Sequence, residues 1–334
     1  LRILAVAEAR HAEDALPDDQ RDFAFRFVGL LGFEDPVRPG VRQALAECYE
    51  AGIRVLMMTG DYPETARSIA RQIGLRSPDQ VLTGEDLNRL GDFELKSRLA
   101  TVNVFARVVP DQKLRIINAL KSLDGVVAMT GDGVNDAPAL KWADIGIAMG
   151  KRGTDVAREA SDLVLLNDDF SSIVGAVRLG RRIYDNIKKA ISYIFAVHVP
   201  IAGMATLPVL FQTFQTPLVL FPAHLVFLEL VIDPAFALVF EAESEEAGLM
   251  QRAPRAPRAT MFTFRQIVAT LGQGAIVLAS ILAMYGFALR DGKSDGVVRT
   301  MTFASLMIAN LGLILFFRSS GRGVFRSFSR RNQA

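Results

Sequence analysis

The pattern of apolar and polar positions changes once along the chain, near residue 188, and a different kind of element lies on each side. Before that point, short apolar runs of β type recur at FRFVGLLGF, IRVLMMTG, VNVFARV, VVAMTG, IGIAM and DLVLL. Between most of them lie stretches with helical spacing: VRQALAECYEAG, PETARSIARQIG, DQKLRIINALKS and NDAPALKWA. This alternation predicts a Rossmann-type α/β domain over residues 1–168, with a parallel sheet covered on both faces. Beyond it come four long apolar segments. Ala190 to Phe211, Gln266 to Leu289 and Thr300 to Phe317 contain no Asp, Glu, Lys or Arg, and Thr216 to Phe240 contains only Glu229 and Asp233. Each is near the length a helix needs to cross ~30 Å of hydrocarbon. The second half therefore reads as an all-α transmembrane domain, 190–317, with helices at about 190–211, 216–240, 266–289 and 300–317; buried helices of a large soluble protein are the alternative. No strong helix breaker lies between Asp169 and Pro200. Residues 169–189 are thus expected to form a stalk running on into the first span, one helix of ~40 residues and about 60 Å. A surface helix, a loop and a separate span would be the other arrangement.

Charge sharpens the topology. The net charge of +2 over 334 residues says little, but Arg181, Arg182, Lys188 and Lys189 precede the first span. Arg252, Arg255 and Arg258 lie between the second and third, and a basic tail, 318–334, follows the fourth with Arg318, Arg322, Arg326, Arg330 and Arg331. With four spans these stretches share one side, which the positive-inside rule makes cytoplasmic along with residues 1–189. Their place beside spans explains the arginines better than nucleic acid does. A single cysteine, Cys48, excludes an internal disulfide and suits a reducing compartment. The chain opens at Leu1 inside an apolar run, LRILAVAEA, that reads as an interrupted strand, so a piece of a longer protein is expected.

Candidate chemistry gathers where strands end. In parallel sheets ligands bind at the carboxyl ends of the strands. Two runs end in nearly the same signature, Thr59-Gly60-Asp61 and Thr130-Gly131-Asp132, each followed by a proline and a helix. Small residues such as Gly60, Gly131 and Gly133 let the backbone approach an anion, and a helix start adds oriented N–H groups. A third stretch, Arg107-Val108-Val109-Pro110-Asp111-Gln112-Lys113, puts Lys113 in the first turn of a helix. A phosphate held by Thr59, Gly60 and Lys113, with Mg²⁺ held partly by Asp132, makes a coherent site. Taken singly, each motif is equally compatible with turn chemistry and a solvated lysine.

The set as a whole resembles the P-type cation-transporting ATPases, nearest the calcium-pump branch. Residues 129–150 resemble that family's hinge motif. Glu34-Asp35-Pro36-Val37-Arg38, Thr59-Gly60-Asp61, Arg107 to Lys113 and Thr130 to Asp136 follow in its order and spacing, and the apolar half follows its layout. The resemblance implies a haloacid-dehalogenase-like phosphorylation domain followed by membrane helices, using ATP as substrate and Mg²⁺. It implies that Asp132 binds Mg²⁺ with Asp136 close by, and that Asn135 and Asp136 orient the phosphoryl site. Thr59 and Gly60 would contact phosphate, Asp61 would support their loop, and Lys113 would neutralise developing charge. Asp35 and Arg38 would lie near the nucleotide and the hinge, and Gly131 and Gly133 would flank the cofactor. The family's nucleophile sits in an Asp-Lys-Thr-Gly motif, which these residues lack. The actuator domain, nucleotide domain and first membrane segments are likewise expected elsewhere in the same protein. Thr83-Gly84-Glu85, which looks like the actuator's dephosphorylation loop, is expected to be a surface turn of the phosphorylation domain.

Within the spans, Glu229 and Asp233 are four apart and share a helix face. A charge at mid-bilayer costs about 2.5–3.5 kcal/mol on insertion scales, so two on one face imply a purpose. Pro234 and Pro200 free the carbonyls of Leu230 and Ala196, adding oxygens that a hard cation could use. By resemblance His198 and Asn310 fall at ion-site positions, and LELVIDP occupies the sixth-helix site. The chain departs from the calcium pattern at four places: His198 and Glu229 stand for amides, Ile201 and Asn310 for carboxylates. Ca²⁺ or another cation, or proton countertransport, therefore remains open, and His198 could instead be a packing residue. The expectation is a multi-pass protein of a bacterial-type plasma membrane. It would drive a cation through the bilayer with ATP by way of an aspartyl-phosphate. The alternatives are a catalytically inactive or regulatory membrane-anchored relative, and a tethered phosphatase, which would need an Asp-x-Asp pair at a strand end that is not found.

Overall fold

The computed structural model describes residues 2–10, 17–33, 36–123, 125–210 and 219–318; the side chains of Arg2, Pro208, Val209, Val231, Asp233, Ala235, Phe236 and Ala237 lie outside that description. The chain divides into two compact units, Leu1–Gly175 with Met250–Pro257, and Ala176–Leu249 with Arg258–Ala334. The boundary falls seven residues beyond the end of the predicted α/β domain and inside a helix.

The first unit opens on an antiparallel ribbon, β1 (Arg2–Glu8) with β2 (Arg26–Phe33), which pairs Arg2 with Phe33 and shifts register between Val6 and Ala7. The run FRFVGLLGF is therefore part of this ribbon and not of a parallel sheet. Then follow α1 (Val41–Glu50), β3 (Met57–Met58), α2 (Pro63–Ile73), β4 (Val81–Thr83), α3 (Gly84–Arg89), α4 (Asp92–Leu99), β5 (Val104–Ala106) and α5 (Pro110–Lys121). The last stretch holds β6 (Ala128–Gly131), a 3-10 turn (Val134–Asp136), α6 (Ala137–Trp142), β7 (Ile145–Met149), α7 (Asp155–Ala160) and β8 (Leu163–Leu165). The parallel strands form two three-stranded sheets, in orders β3-β5-β4 and β6-β7-β8, where one sheet was expected.

The central strand β5 shows why VNVFARV carries no polar face. Successive side chains point to opposite faces. Phe105 packs with Leu87, Leu95, Leu99 and Ile116, while Val104 and Ala106 pack with Leu45, Ala66, Ala70 and Ile73. Both faces are covered by helices, so both must be apolar. In the other sheet Met129 and Ala148 pack against Ile117, Leu140 and Ala157. Prolines set where helices begin: Pro63 and Pro110 stand in the first turns of α2 and α5, where a missing N–H costs nothing. Gly74, at φ 76°, ends α2 in the left-handed conformation glycine tolerates best.

The second unit is helical. α8 (Ser171–Leu210) is one unbroken helix of 40 residues. α9 (Pro222–Glu241), α10 (Phe264–Arg290) and α11 (Asp295–Arg318) follow. Among the described residues, Ser171–Leu207, Phe264–Arg290 and Asp295–Arg318 are long and apolar enough to cross a membrane. The expected span 216–240 corresponds to α9, its first residues lying outside the description, as does the basic tail from 319. Tyr193, Val197 and Met204 of α8 share a core with Leu228 and Phe240 of α9, Tyr285 of α10 and Leu306 of α11.

Two glycines set the α8–α10 approach. A Cβ on Gly274 would lie 2.4 Å from the Ala196 carbonyl oxygen, and one on Gly203 would lie 2.4 Å from Leu278 Cδ2. The Ala196 carbonyl, freed by Pro200, thus lies against α10. The connection between α9 and α10 is bound to its neighbours by charge. Lys189 meets Glu246 at 2.9 Å, Arg178 meets Glu245 at 3.3 Å, and Arg318 Nε donates to Glu243 Oε2 at 2.7 Å. Asn186 donates to the Glu243 carbonyl at 3.1 Å, and Arg181 to that of Leu249 at 3.1 Å. Cations read above only as topology markers are therefore also structural.

The α8–α10 contact is tested by Gly274→Leu, which overpacks a backbone contact and should cost roughly 1–3 kcal/mol in thermal unfolding of the detergent-solubilised chain. Gly272→Leu, whose Cβ would meet nothing within 4 Å, should change it little. Equal losses in both would contradict the packing.

Candidate functional site

The first turn of α5 carries Lys113, and the 3-10 turn after β6 carries Asp136. Their side chains meet: Lys113 Nζ donates to Asp136 Oδ1 at 2.6 Å, with 15% and 12% of each side chain exposed. Gly131 is the reason Asp136 can lie there. A Cβ at 131 would sit 2.6 Å from Asp136 Cβ and 2.9 Å from its Cγ, so any side chain would evict the carboxylate. The Gly133 N–H points to Asp136 Oδ2 at 3.4 Å.

Asp132 and Asn135, on the same loop, are both exposed. The Asp132 carbonyl accepts the Thr154 N–H at 2.9 Å, which pins the loop backbone while the carboxylate stays at the surface. Among the described residues no cluster of three or more His, Cys, Asp or Glu could hold a metal alone. The loop thus offers one exposed carboxylate, with the second held by the lysine.

Thr59-Gly60-Asp61 joins this centre through backbone. Val108 N–H donates to the Thr59 carbonyl at 3.1 Å, and Arg107 N–H to that of Asp61 at 3.1 Å. Thr59 Oγ1 donates to Asp61 Oδ2 at 3.0 Å and accepts the Asp61 N–H at 3.1 Å, which closes the loop locally. Arg107, at φ 55°, turns the chain between these bonds, and its guanidinium lies 4.7 Å from the Tyr62 ring centroid. The structure thus joins the Lys113, Asp136 and Thr59 segments.

Arg38 is elsewhere. Its guanidinium donates to the Asp168 carbonyl, just before α8 begins. Asp168 is buried, at φ 55°, and its carboxylate accepts the N–H groups of Lys151 and Arg152 at 2.9 and 3.0 Å. Burial pushes its carboxyl up, yet backbone N–H bonds and the Arg38 charge hold it below the usual range. Arg38 thus ties the start of the domain to the foot of the long helix. Asp35 lies outside the described residues.

In the helical unit, His198 Nδ1 is 2.8 Å from the Ile194 carbonyl. A carbonyl only accepts, so Nδ1 carries the proton and Nε2 faces Glu229 Oε1 at 3.8 Å. His198 and Glu229, on different helices, are therefore brought together. Asn310 is 3% exposed, and among the described residues neither atom of its amide head group has a hydrogen-bond partner. Asp233 lies on α9 one turn beyond Glu229, and its side chain is outside the description.

Three residues that the sequence reading passed over matter here: Gln112, Asp168 and Glu243. Gln112 occupies the third position of a proline-started helix, a capping position that could have been read. Asp is enriched among non-glycine residues at positive φ, but only the backbone reveals which Asp adopts it.

Similarity to known proteins agrees with this layout. The haloacid dehalogenase-like hydrolase family matches residues 3–144, and the carboxyl-terminal family of cation-transporting ATPases matches 217–334. The chain is 40% identical over 314 residues to a calcium-transporting ATPase of Bacillus subtilis, covering 93% of this chain and 35% of that protein. It is 36% identical over 334 residues to calcium-transporting ATPase 1 of Schizosaccharomyces pombe, covering 98% and 36%. It is 38% identical over 331 residues to cation-transporting ATPase pma1 of Synechocystis, covering 96% and 36%. The chain thus spans about a third of the length of these relatives.

The ion pair is tested by a double-mutant cycle. Asp136→Ala should cost about 3–5 kcal/mol, because it strands a shielded ammonium. Adding Lys113→Met should recover much of that loss. The chain's single tryptophan, Trp142 in α6, reports unfolding in denaturant; strictly additive losses would mean the pair contributes nothing.

Proposed function

We propose that the chain belongs to the P-type cation-transporting ATPases and carries the phosphate-handling loops and part of the ion path of an ATP-driven cation pump. The pump works through a phosphorylated aspartate. The observation that carries this reading is the Lys113–Asp136 pair at 2.6 Å, set between strand-end loops beside an exposed Asp132.

The nucleophilic aspartate belongs to the further length of the whole protein, together with the actuator, the nucleotide domain and the first membrane helices. Phosphoryl transfer asks mainly for positioning and charge stabilisation. Gly60 offers phosphate oxygens an exposed backbone, and the Thr59 hydroxyl, whose one proton goes to Asp61 in this structure, turns to donate to the phosphate when it arrives. Asp61 holds that hydroxyl until then. Lys113 neutralises charge that builds on the transferring group, and Asp136 aims that ammonium while Asn135 lines the same loop. Mg²⁺ suits the donor set, since it takes one or two carboxylates and leaves other positions to water and phosphate oxygens. Asp132 would hold it, and bound there it would draw negative charge off the phosphate. Arg38 sits where domain movement would reach α8, and that continuous helix is the mechanical link to the membrane.

In the bilayer the ion path runs past His198 and Glu229, with Asp233 and Asn310 on neighbouring turns and helices. Because Nδ1 is committed to Ile194, the Nε2–Glu229 gap is completed by a proton or by a cation. One imidazole, two carboxylates and an amide fall short of the six to eight oxygens of a full Ca²⁺ shell. The transported species is a cation, and the α/β unit lies on the cytoplasmic side.

Two experiments on the whole protein test this. Asp132→Asn should abolish Mg²⁺-dependent phosphoenzyme formation; normal labelling from ATP would sink the metal assignment. Glu229→Gln should shift which cation stimulates ATP hydrolysis and leave labelling by inorganic phosphate in place. An unchanged cation profile would remove Glu229 from the path.

A further inference from the structure

Thr83-Gly84-Glu85 has no part in the site as described so far, and it is not the surface turn expected of it. Thr83 ends β4 and caps α3: its hydroxyl accepts the Asp86 N–H at 3.1 Å, while its own N–H and hydroxyl donate to Asp86 Oδ2 at 2.9 and 2.7 Å. Those bonds, from the Thr83 hydroxyl first and then its backbone, hold the Asp86 carboxyl below the usual range. Gly84 is buried, and a Cβ there would lie 2.4 Å from the Arg107 carbonyl oxygen and 2.7 Å from Gln112 Oε1.

Gln112, itself buried, spends its amide on this junction. Its Nε2 donates to the Gly84 carbonyl at 2.8 Å and to Asn88 Oδ1 at 2.7 Å, and its Oε1 accepts the Val109 N–H at 3.1 Å. These bonds fix the first turn of α5 against α3. Lys113 is the next residue, and its backbone N–H bonds to the Val109 carbonyl at 3.1 Å. A lysine side chain has four rotatable carbons and little shape of its own. Where its ammonium rests is set by where its Cα is held and by Asp136 at the far end.

We propose that Gln112, seated on Gly84, is the positioning residue for Lys113: it holds the lysine's backbone so that the ammonium stays on the phosphate side of Asp136. This rests on the reading of Lys113 given above. Gln112 touches neither phosphate nor metal, so its loss moves the charge without removing it. Binding of a transferring phosphate suffers, and ATP binding, which uses other parts of the protein, does not.

The test is phosphoenzyme formation from inorganic phosphate and Mg²⁺ in the whole protein, set against ATP affinity. Gln112→Met, of similar length but without hydrogen bonds, should raise the half-saturating phosphate concentration at least about tenfold, with ATP affinity within about twofold. Gln112→Glu should move the phosphate dependence in the same direction as Gln112→Met, because it keeps the acceptor for Val109 but sets a carboxylate oxygen against the Gly84 carbonyl, which has no proton to give. Gly84→Ala should move in the same direction as Gln112→Met. An unchanged phosphate dependence in folded Gln112→Met, while Lys113→Ala loses labelling, overturns the assignment and leaves the function intact. Normal labelling in Lys113→Ala overturns the reading of the site and the assignment with it. Should Gln112→Met not fold, unchanged phosphate dependence in both Gln112→Glu and Gly84→Ala overturns the assignment equally.

Discussion

The arrangement of loops at the strand ends of the α/β unit turns on an ammonium and a carboxylate 2.6 Å apart, each mostly shielded from water. Removing two charges from water is costly, and their attraction offsets that cost only when geometry is good and further hydrogen bonds serve the remaining lone pairs. The surroundings are arranged to that end. Gly131 leaves room for the carboxylate, Gly133 turns an N–H toward it, and Pro110 starts the helix that delivers the lysine. Lys113 and Asp136 come from consecutive strand–helix crossings, so the pair also fixes how the ends of β5 and β6 stand to each other.

The helical unit solves a different problem. In lipid the hydrophobic effect does not drive one helix against another, and close approach through small residues takes its place. Gly274 and Gly203 provide that approach along α8 and α10. Pro200 leaves the Ala196 carbonyl without its helical donor, and the bare Gly274 backbone lies against the exposed oxygen. His198, two residues on, binds its own helix through Nδ1, which directs Nε2 to Glu229. The carbonyl that Pro200 frees is thus taken up in helix packing.

Much of the fold was legible where a local cause acts. The two-sided apolar run of β5, the prolines that open α2 and α5, and the absence of a breaker before Pro200 each gave the right element. What was not legible depends on partners distant in sequence. β3 and β4 are two and three residues long, too short for any period to show, and β4 was missed. The run of β2 looks the same whether it pairs parallel or antiparallel, and its partner β1 decided the matter. Arg181, Lys189 and Arg318 have the same sequence signature whether solvated, facing lipid headgroups or paired with the α9–α10 connection. Of the candidate site, Thr59, Gly60, Lys113 and Asp132 were singled out from spacing, and Asp136 from the family resemblance. Arg38 meets Asp168, a partner no local pattern announces, and Gln112 adds to its local Val109 bond two partners, Gly84 and Asn88, that only the fold supplies.

Asp132 and Asp136 are four residues apart on one loop and have opposite fates, and the difference bears on mechanism. The 3-10 turn Val134–Asp136 bends the chain back so that Asp136 lies under Gly131, while the Thr154 bond holds Asp132 by its backbone alone. Asp136 is thereby neutralised by Lys113, and Asp61 is tied to Thr59, leaving Asp132 as the carboxylate without a fixed partner in this cluster. In the proposed function a phosphate dianion must approach that charge. One lysine already shared with Asp136 cannot balance both, so the countercharge has to arrive with the phosphate, and an exposed carboxylate at a strand end is placed to receive it. The same arrangement keeps the lysine occupied when phosphate is absent, which protects the shielded pair from standing open to water between turnovers.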